Sequence, residues 1–194
     1  MWYQMIVYLF IQYITPGPND LTCLYLGGRY GLWGTRNFII GSQGALFVKT
    51  ILCGALNILL ARVMPQIVSV LKWFGAAYML YLAYLMGRSG WEEELSMAGQ
   101  QKESSIRAGV MLQLLNAKSW IAGISVFAVY VIPVRTDFGA VVLTAVIYAV
   151  IGVICSIIWA LFGSAIKGFI EKHKKLFGIV MALTLVYCAI SALI

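Results

Sequence analysis

The chain has 194 residues, of which 62% are hydrophobic and 11% charged, with a mean hydropathy of +0.90 and a formal net charge of +7. That is too little polar surface to cover a water-soluble globule, so lipid is the expected solvent for most of it. Backbone that spans lipid must satisfy its own hydrogen bonds, and the alternating period of barrel strands is absent, which leaves an all-α integral membrane protein.

A helix needs about 20 apolar residues to cross the hydrocarbon core. In chain order, apolar stretches at 2–26, 38–61, 66–86, 106–133, 138–166 and 176–194 predict six transmembrane helices that occupy the chain as a single transmembrane domain, 1–194. The first stretch lacks a cationic leader and an A-x-A cleavage pattern, so it reads as a retained helix. The long polar segment 87–105, with Glu92, Glu93 and Glu94, separates a first three-helix half (1–86) from a second (106–194). An odd number of spans per half requires any structural repeat to have inverted topology, here 3+3. Aligning Lys72–Tyr84 with Lys175–Tyr187 matches Gly75 with Gly178, Leu82 with Leu185 and Tyr84 with Tyr187, a weak echo of such a repeat.

The positive charge is explained by topology and implies no nucleic-acid partner. With both termini outside, Arg29, Arg36, Arg88, Lys102, Arg107, Lys167, Lys172, Lys174 and Lys175 face the cytoplasm, against Arg62, Lys72 and Arg135 on the other side. The four cysteines, Cys23, Cys53, Cys155 and Cys188, sit in apolar stretches without a C-x-x-C pair and suit small apolar packing. His173, in a basic loop, reads as solvated, and no metal ligand set or cofactor motif is present.

Polar residues inside the apolar stretches carry the functional reading. Pro16 and Pro18 lack amide protons and so free the carbonyls of Gln12 and Ile14, while Thr15 and Gly17, each preceding a proline, are pushed from helical dihedrals. At about 1.5 Å per residue the break lies roughly 20 Å into the membrane, near its midplane. Unwound backbone at that depth must be buried in protein or line a wet cavity. A half-helix starting at Pro18 would aim unpaired amides into that cavity, beside Asn19 and Asp20. Asp20 as a dipole-stabilised first-turn residue is the plainer alternative.

Two cations are equally deep, Lys49 in the second span and Lys118 in the fourth. On insertion scales Asp20, Lys49 and Lys118 together would cost of the order of 8 to 10 kcal/mol unless paired or set in a polar cavity. An Asp20–Lys49 ion pair is one resolution. Lys118 belongs to Asn116-Ala117-Lys118-Ser119, which interrupts the fourth span as Pro16–Asp20 interrupts the first. Gln43 and Asn57 in the second span suit either the site or helix–helix hydrogen bonding.

These motifs resemble the LysE/RhtB family of amino-acid exporters: T-P-G-P-N at Thr15–Asn19, Gly41 and Gly44 in span two, L-K-W-F-G-A-A-Y at Leu71–Tyr78, and N-A-K at Asn116–Lys118. The closing L-V-Y-C-A at Leu185–Ala189 is most similar to the cysteine and O-acetylserine branch. The family often has proline where Ala117 stands, so the break in span four is expected to be gentler here. It also commonly has an uncharged residue at the position of Asp20.

The resemblance implies a secondary transporter of the bacterial inner membrane, not an enzyme, that exports small amino acids or derivatives by proton antiport. The substrate carboxylate would meet Lys118 and the amides after Pro18. Its ammonium would meet Asp20 or the carbonyls of Gln12 and Ile14. A membrane scaffold without transport activity is the alternative, and a homo-oligomer is compatible with either.

Overall fold

The structure, a computed structural model, describes residues 2–57, 73–87 and 104–193, all helical or turn with no strand among them. Arg62, Lys72, Arg88, Glu92, Glu93, Glu94 and Lys102 fall outside the described residues. The elements are α1 (Trp2–Ile14), α2 (Pro18–Ala55), α3 (73–87), α4 (Ile106–Leu115), α5 (Ala117–Ser125), α6 (Phe138–Ala165), α7 (Lys167–Lys172) and α8 (Lys174–Leu193). A π-helical stretch, Val126–Val131, continues α5.

Pro18–Ala55 and Phe138–Ala165 are each long and apolar enough to cross a membrane, and the pair Ile106–Leu115 and Ala117–Val131 makes a third such span, bent by 64°. α6, which contains an 18-residue stretch with a mean hydropathy of 2.8, shows how lipid is met. Leu143, Val146, Val150, Ile154, Ile158 and Leu161 recur at three- and four-residue spacing and are exposed, whereas Thr144, Tyr148, Cys155 and Ser156 are buried. One face of a helix thus takes the acyl chains while its polar groups turn into the protein.

At 38 residues, α2 would measure about 57 Å, far beyond a hydrocarbon core of about 30 Å. It is two limbs. Residues 27–37, between the first two apolar stretches, are helical except at Gly31, whose φ of 70° and ψ of 177° suit glycine and break the rod. Contacts along α6 reveal the reversal. Asn19 Nδ2 lies 3.4 Å from Ser156 Oγ, Gly28 lies against Gly163, Gln43 Nε2 returns to within 2.8 Å of Ser156 Oγ, and Gly54 ends against Val141. The limb before Gly31 therefore completes the path begun by α1, and the limb after it runs back as a separate pass.

Close backbone approach holds the second limb against α4. A Cβ at Gly109 would overlap the Phe38 carbonyl oxygen and lie 2.7 Å from Ser42 N. Two apolar clusters flank this scaffold. One joins both α2 limbs to α3, α4, α6 and α8 through residues such as Leu24, Phe38, Leu82, Leu112 and Leu185. The other joins α1, the second limb, α5, the π stretch and α6 through Met5, Leu46, Phe127 and Tyr148.

Candidate functional site

The first break forms as its prolines require. Thr15 N donates the last helical bond of α1, to Ile11 O at 3.1 Å. Gly17 is extended (φ −135°, ψ 175°), and Pro18 opens α2 at its first position, where a missing amide proton leaves no bond unmade. Asp20 folds back so that Gly17 N donates to its Oδ2 at 3.2 Å, the returning half of a capping box, with no side chain on Gly17 to make the other half. The first-turn role is thus filled by this carboxylate. Its other oxygen, Oδ1, is buried without a hydrogen-bond partner, as are Asn19 Oδ1 and Gln43 Oε1.

Lys118 reaches across from α5. Its Nζ donates to Gln12 O at 2.8 Å and to Thr15 O at 2.7 Å. The proline-freed carbonyl of Gln12 therefore already accepts from a side chain of the protein. Lys118 Nζ and Asp20 Oδ2 would both lie within 3.5 Å of a Cβ placed on Gly17, so opposite charges gather around this glycine.

The fourth span breaks at Asn116 (φ −79°, ψ 96°) with a bend of 64°, although Ala117 stands in place of a proline. In an unbroken helix Ala117 N–H would take Gln113 O, and Lys118 N–H would take Leu114 O. Here Lys49 Nζ donates to Gln113 O at 3.2 Å, and Trp120 Nε1 donates to Leu114 O at 2.8 Å. Ser119 Oγ donates to Asn116 O at 2.8 Å and itself accepts from Lys49 Nζ. The Lys49 ammonium also lies 5.3 Å from the centre of the Trp120 ring, a cation–π contact.

The considered Asp20–Lys49 ion pair is accordingly not the arrangement found: Lys49, 1% exposed, bonds to span four and not to Asp20. Gln43 likewise turns to Ser156 of α6 and Ser42. Asn57 Nδ2 donates to Ile124 O, 3.4 Å away and just before the π stretch, a helix-to-helix bond.

A cavity of about 470 Å³ opens where the two breaks meet. Five of the sequence-predicted residues wall it: Pro16, Gly17, Pro18, Asn116 and Lys118. Asn19 and Asp20 instead face a chamber of about 30 Å³ behind Lys118, which shares Gln12, Gly17, Asn116 and Lys118 with the larger space. Gln43 and Lys49 line neither. The opposite wall, missed in the sequence, is Gly75, Tyr78 and Met79 of α3 with Tyr187, Cys188 and Ser191 of α8. Aromatic and small residues in apolar stretches carried no signal that separates a cavity wall from a lipid-facing surface. The repeated aromatic–small pattern of the two helices was visible, but only as an echo between halves.

An apolar helical bundle with a charged, hydrogen-bonded cavity at the meeting of two interrupted helices defines an integral membrane protein of the solute-translocating class. The match of residues 10–194 to the model for LysE type translocators places this chain in that family, so it is a transporter and not an enzyme. Its relatives include the cysteine/O-acetylserine efflux proteins of Escherichia coli strain K12, Shigella flexneri and Shigella sonnei. Each is 31% identical over 183 residues, covering 94% of this chain and 92% of theirs. No solved structure matches it.

Proposed function

We propose that the chain is a six-span secondary transporter of the bacterial inner membrane that exports small neutral amino acids or derivatives, of the cysteine and O-acetylserine kind, by proton antiport. The observation that carries this reading is the 470 Å³ cavity, roomy enough for such a solute and closed on one side by Lys118. An ammonium has three donors. Lys118 uses two on Gln12 O and Thr15 O, which leaves one for a substrate carboxylate. Asn116, whose side chain does not cap the helix that it starts, supplies an amide at the same wall.

Pro16, Gly17 and Pro18 serve as the flexing point for alternating access. Asp20, with its unpartnered Oδ1 in the chamber behind Lys118, carries the coupling proton. One charge crossing 100 mV supplies roughly 2.3 kcal/mol, enough for about a 40-fold substrate gradient. The chain is read as two inverted three-helix halves with both termini outside. In support, Gly75 and Gly178, and Leu82 and Leu185, are buried, while Leu80 and Leu183, and Tyr84 and Tyr187, are exposed.

The test is counterflow of labelled cysteine and O-acetylserine into proteoliposomes preloaded with the unlabelled compound. Wild type exchanges label, and Lys118→Ala, which removes a charged hydrogen-bond donor, exchanges about ten- to a hundredfold more slowly. Asp20→Asn retains counterflow and loses proton-driven accumulation. No exchange by wild type of these or other small amino acids rejects the carrier in favour of a scaffold, and normal exchange by Lys118→Ala removes that residue from the site.

A further inference from the structure

Lys49 is the deep cation that the proposed transport site does not use. It is among the largest fully buried side chains, lies in neither cavity and donates its hydrogen bonds to Gln113 O and Ser119 Oγ, at the break of span four. We propose that Lys49 is a positioning residue: by occupying the carbonyl that a straight helix would need, it keeps span four bent and thereby aims Lys118 at the break of span one.

Four observations carry this. The acceptor is Gln113 O, the carbonyl to which Ala117 N–H would bond if the helix ran on. A second grip, on Ser119 Oγ, bears on the residue that holds Asn116 O, so both sides of the break are tied to one ammonium. Lys118 lies between these tied points, and its Nζ reaches Gln12 O and Thr15 O. Finally, a lone cation at 1% exposure deep in lipid is costly, and its carbonyl, hydroxyl and indole partners offset that cost only while the break exists. Helix geometry and cation burial therefore depend on each other. Straightening the span would return Gln113 O to its own helix and leave Lys49 without that acceptor.

Proline does the same work in span one by removing an amide. This gives a specific rescue. Ala117 is the first residue of α5, where a missing N–H breaks no bond, and Asn116, at ψ 96°, already lies outside the α region that a following proline disfavours. Ala117→Pro should therefore hold the bend without Lys49.

Spin labels at Ile106 and Val129, both exposed, measure the bend in the full-length protein with native cysteines replaced. At 1.5 Å per residue these positions would be about 35 Å apart in a straight helix and about 29 Å apart with the observed 64° bend. Lys49→Met is expected to lengthen or broaden the distance distribution and to slow counterflow of labelled cysteine at least tenfold. Lys49→Met combined with Ala117→Pro should restore the short distance and most of the rate. If Lys49→Met aggregates, Ser119→Ala, which keeps the lysine and removes one acceptor, should broaden the same distribution.

An unchanged distance in Lys49→Met, with or without lost transport, overturns the proposal, as does lengthening that Ala117→Pro fails to reverse. So does an unchanged distribution in Ser119→Ala where that variant carries the test. The rate measurements rest on the carrier reading given above, but the distances do not. A wild type that is bent yet exchanges nothing would sink that reading and leave this one decided by the labels.

Discussion

Spans one and four are both interrupted, but their breaks have opposite origins. In span one the interruption is local: Pro16 and Pro18 cannot donate, and Gly17 between them is extended. In span four every residue at the interruption has an amide, and where the chain bends by 64° side chains hold the carbonyls instead, Lys49 from the second limb of α2 and Trp120 from α5. A lysine appears in each. Lys118 fills a carbonyl vacated by proline, whereas Lys49 fills one that an available amide would otherwise claim. The first break is written in the segment that breaks, and the second exists only in the packed protein.

The sharpest way to attack this contrast is to give span one its amides back. Pro16→Ala together with Pro18→Ala supplies the N–H groups that reach Gln12 O and Ile14 O, so residue 16 competes directly with Lys118 for its acceptor. Expected is a fall in exchange rate of about tenfold or more with thermal stability little changed, since Pro16 lies between the two helices and Pro18 at the first position of α2, where proline breaks no helical bond. Fluorescence-detected melting beside counterflow would check it. A variant with full transport would show that the break is held by tertiary contacts, as in span four, and would erase the contrast.

A smaller effect is expected from Trp120→Phe. It removes the indole donor from Leu114 O while leaving an aromatic face beside Lys49. One neutral hydrogen bond contributes about 1 kcal/mol, so exchange should slow by no more than about fivefold, because Lys49 and Ser119 still hold the break. Loss on the scale expected for Lys49→Met would mean that the indole, and not the lysine, is the main brace.

The same contrast governs what was legible in the sequence. T-P-G-P-N was readable because proline acts on its own helix, and Lys118 because a cation midway along an apolar stretch needs a partner. The partners of Lys49 were not. An Asp20–Lys49 pair followed from charge alone, yet Asp20 is engaged by Gly17 N three residues away and Lys49 by groups 64 and 70 residues away. Local rules at Ala117 see only the missing proline and give no size for the bend, which is 64°. The far wall of the cavity, Tyr78 and Met79 with Tyr187 and Cys188, was hidden because lipid and an apolar cavity wall select similar side chains. The π stretch Val126–Val131 also leaves no mark in its composition.

The smallest effect is expected where a cation braces a helix end in water. Arg135 donates to Asp137 at 2.8 and 3.2 Å, and Asp137 Oδ2 accepts from Ala140 N at 3.0 Å to cap α6, with both charged side chains about half exposed. The hydrogen bonds from Arg135 are the main cause holding the Asp137 carboxyl below the usual carboxylate range. A depressed folded-state value stabilises the protein above the unfolded pKa of about 4, and that contribution disappears as pH falls through the folded value. The melting difference between wild type and Asp137→Asn should therefore be small, flat from about pH 5 to 8, and should shrink only below about pH 4. Arg135→Ala should barely alter transport, because water and salt screen what lipid leaves at full strength for Lys49 and Lys118. A transport defect in Arg135→Ala as large as that of Lys49→Met would show that depth in the membrane is not what gives these cations their weight.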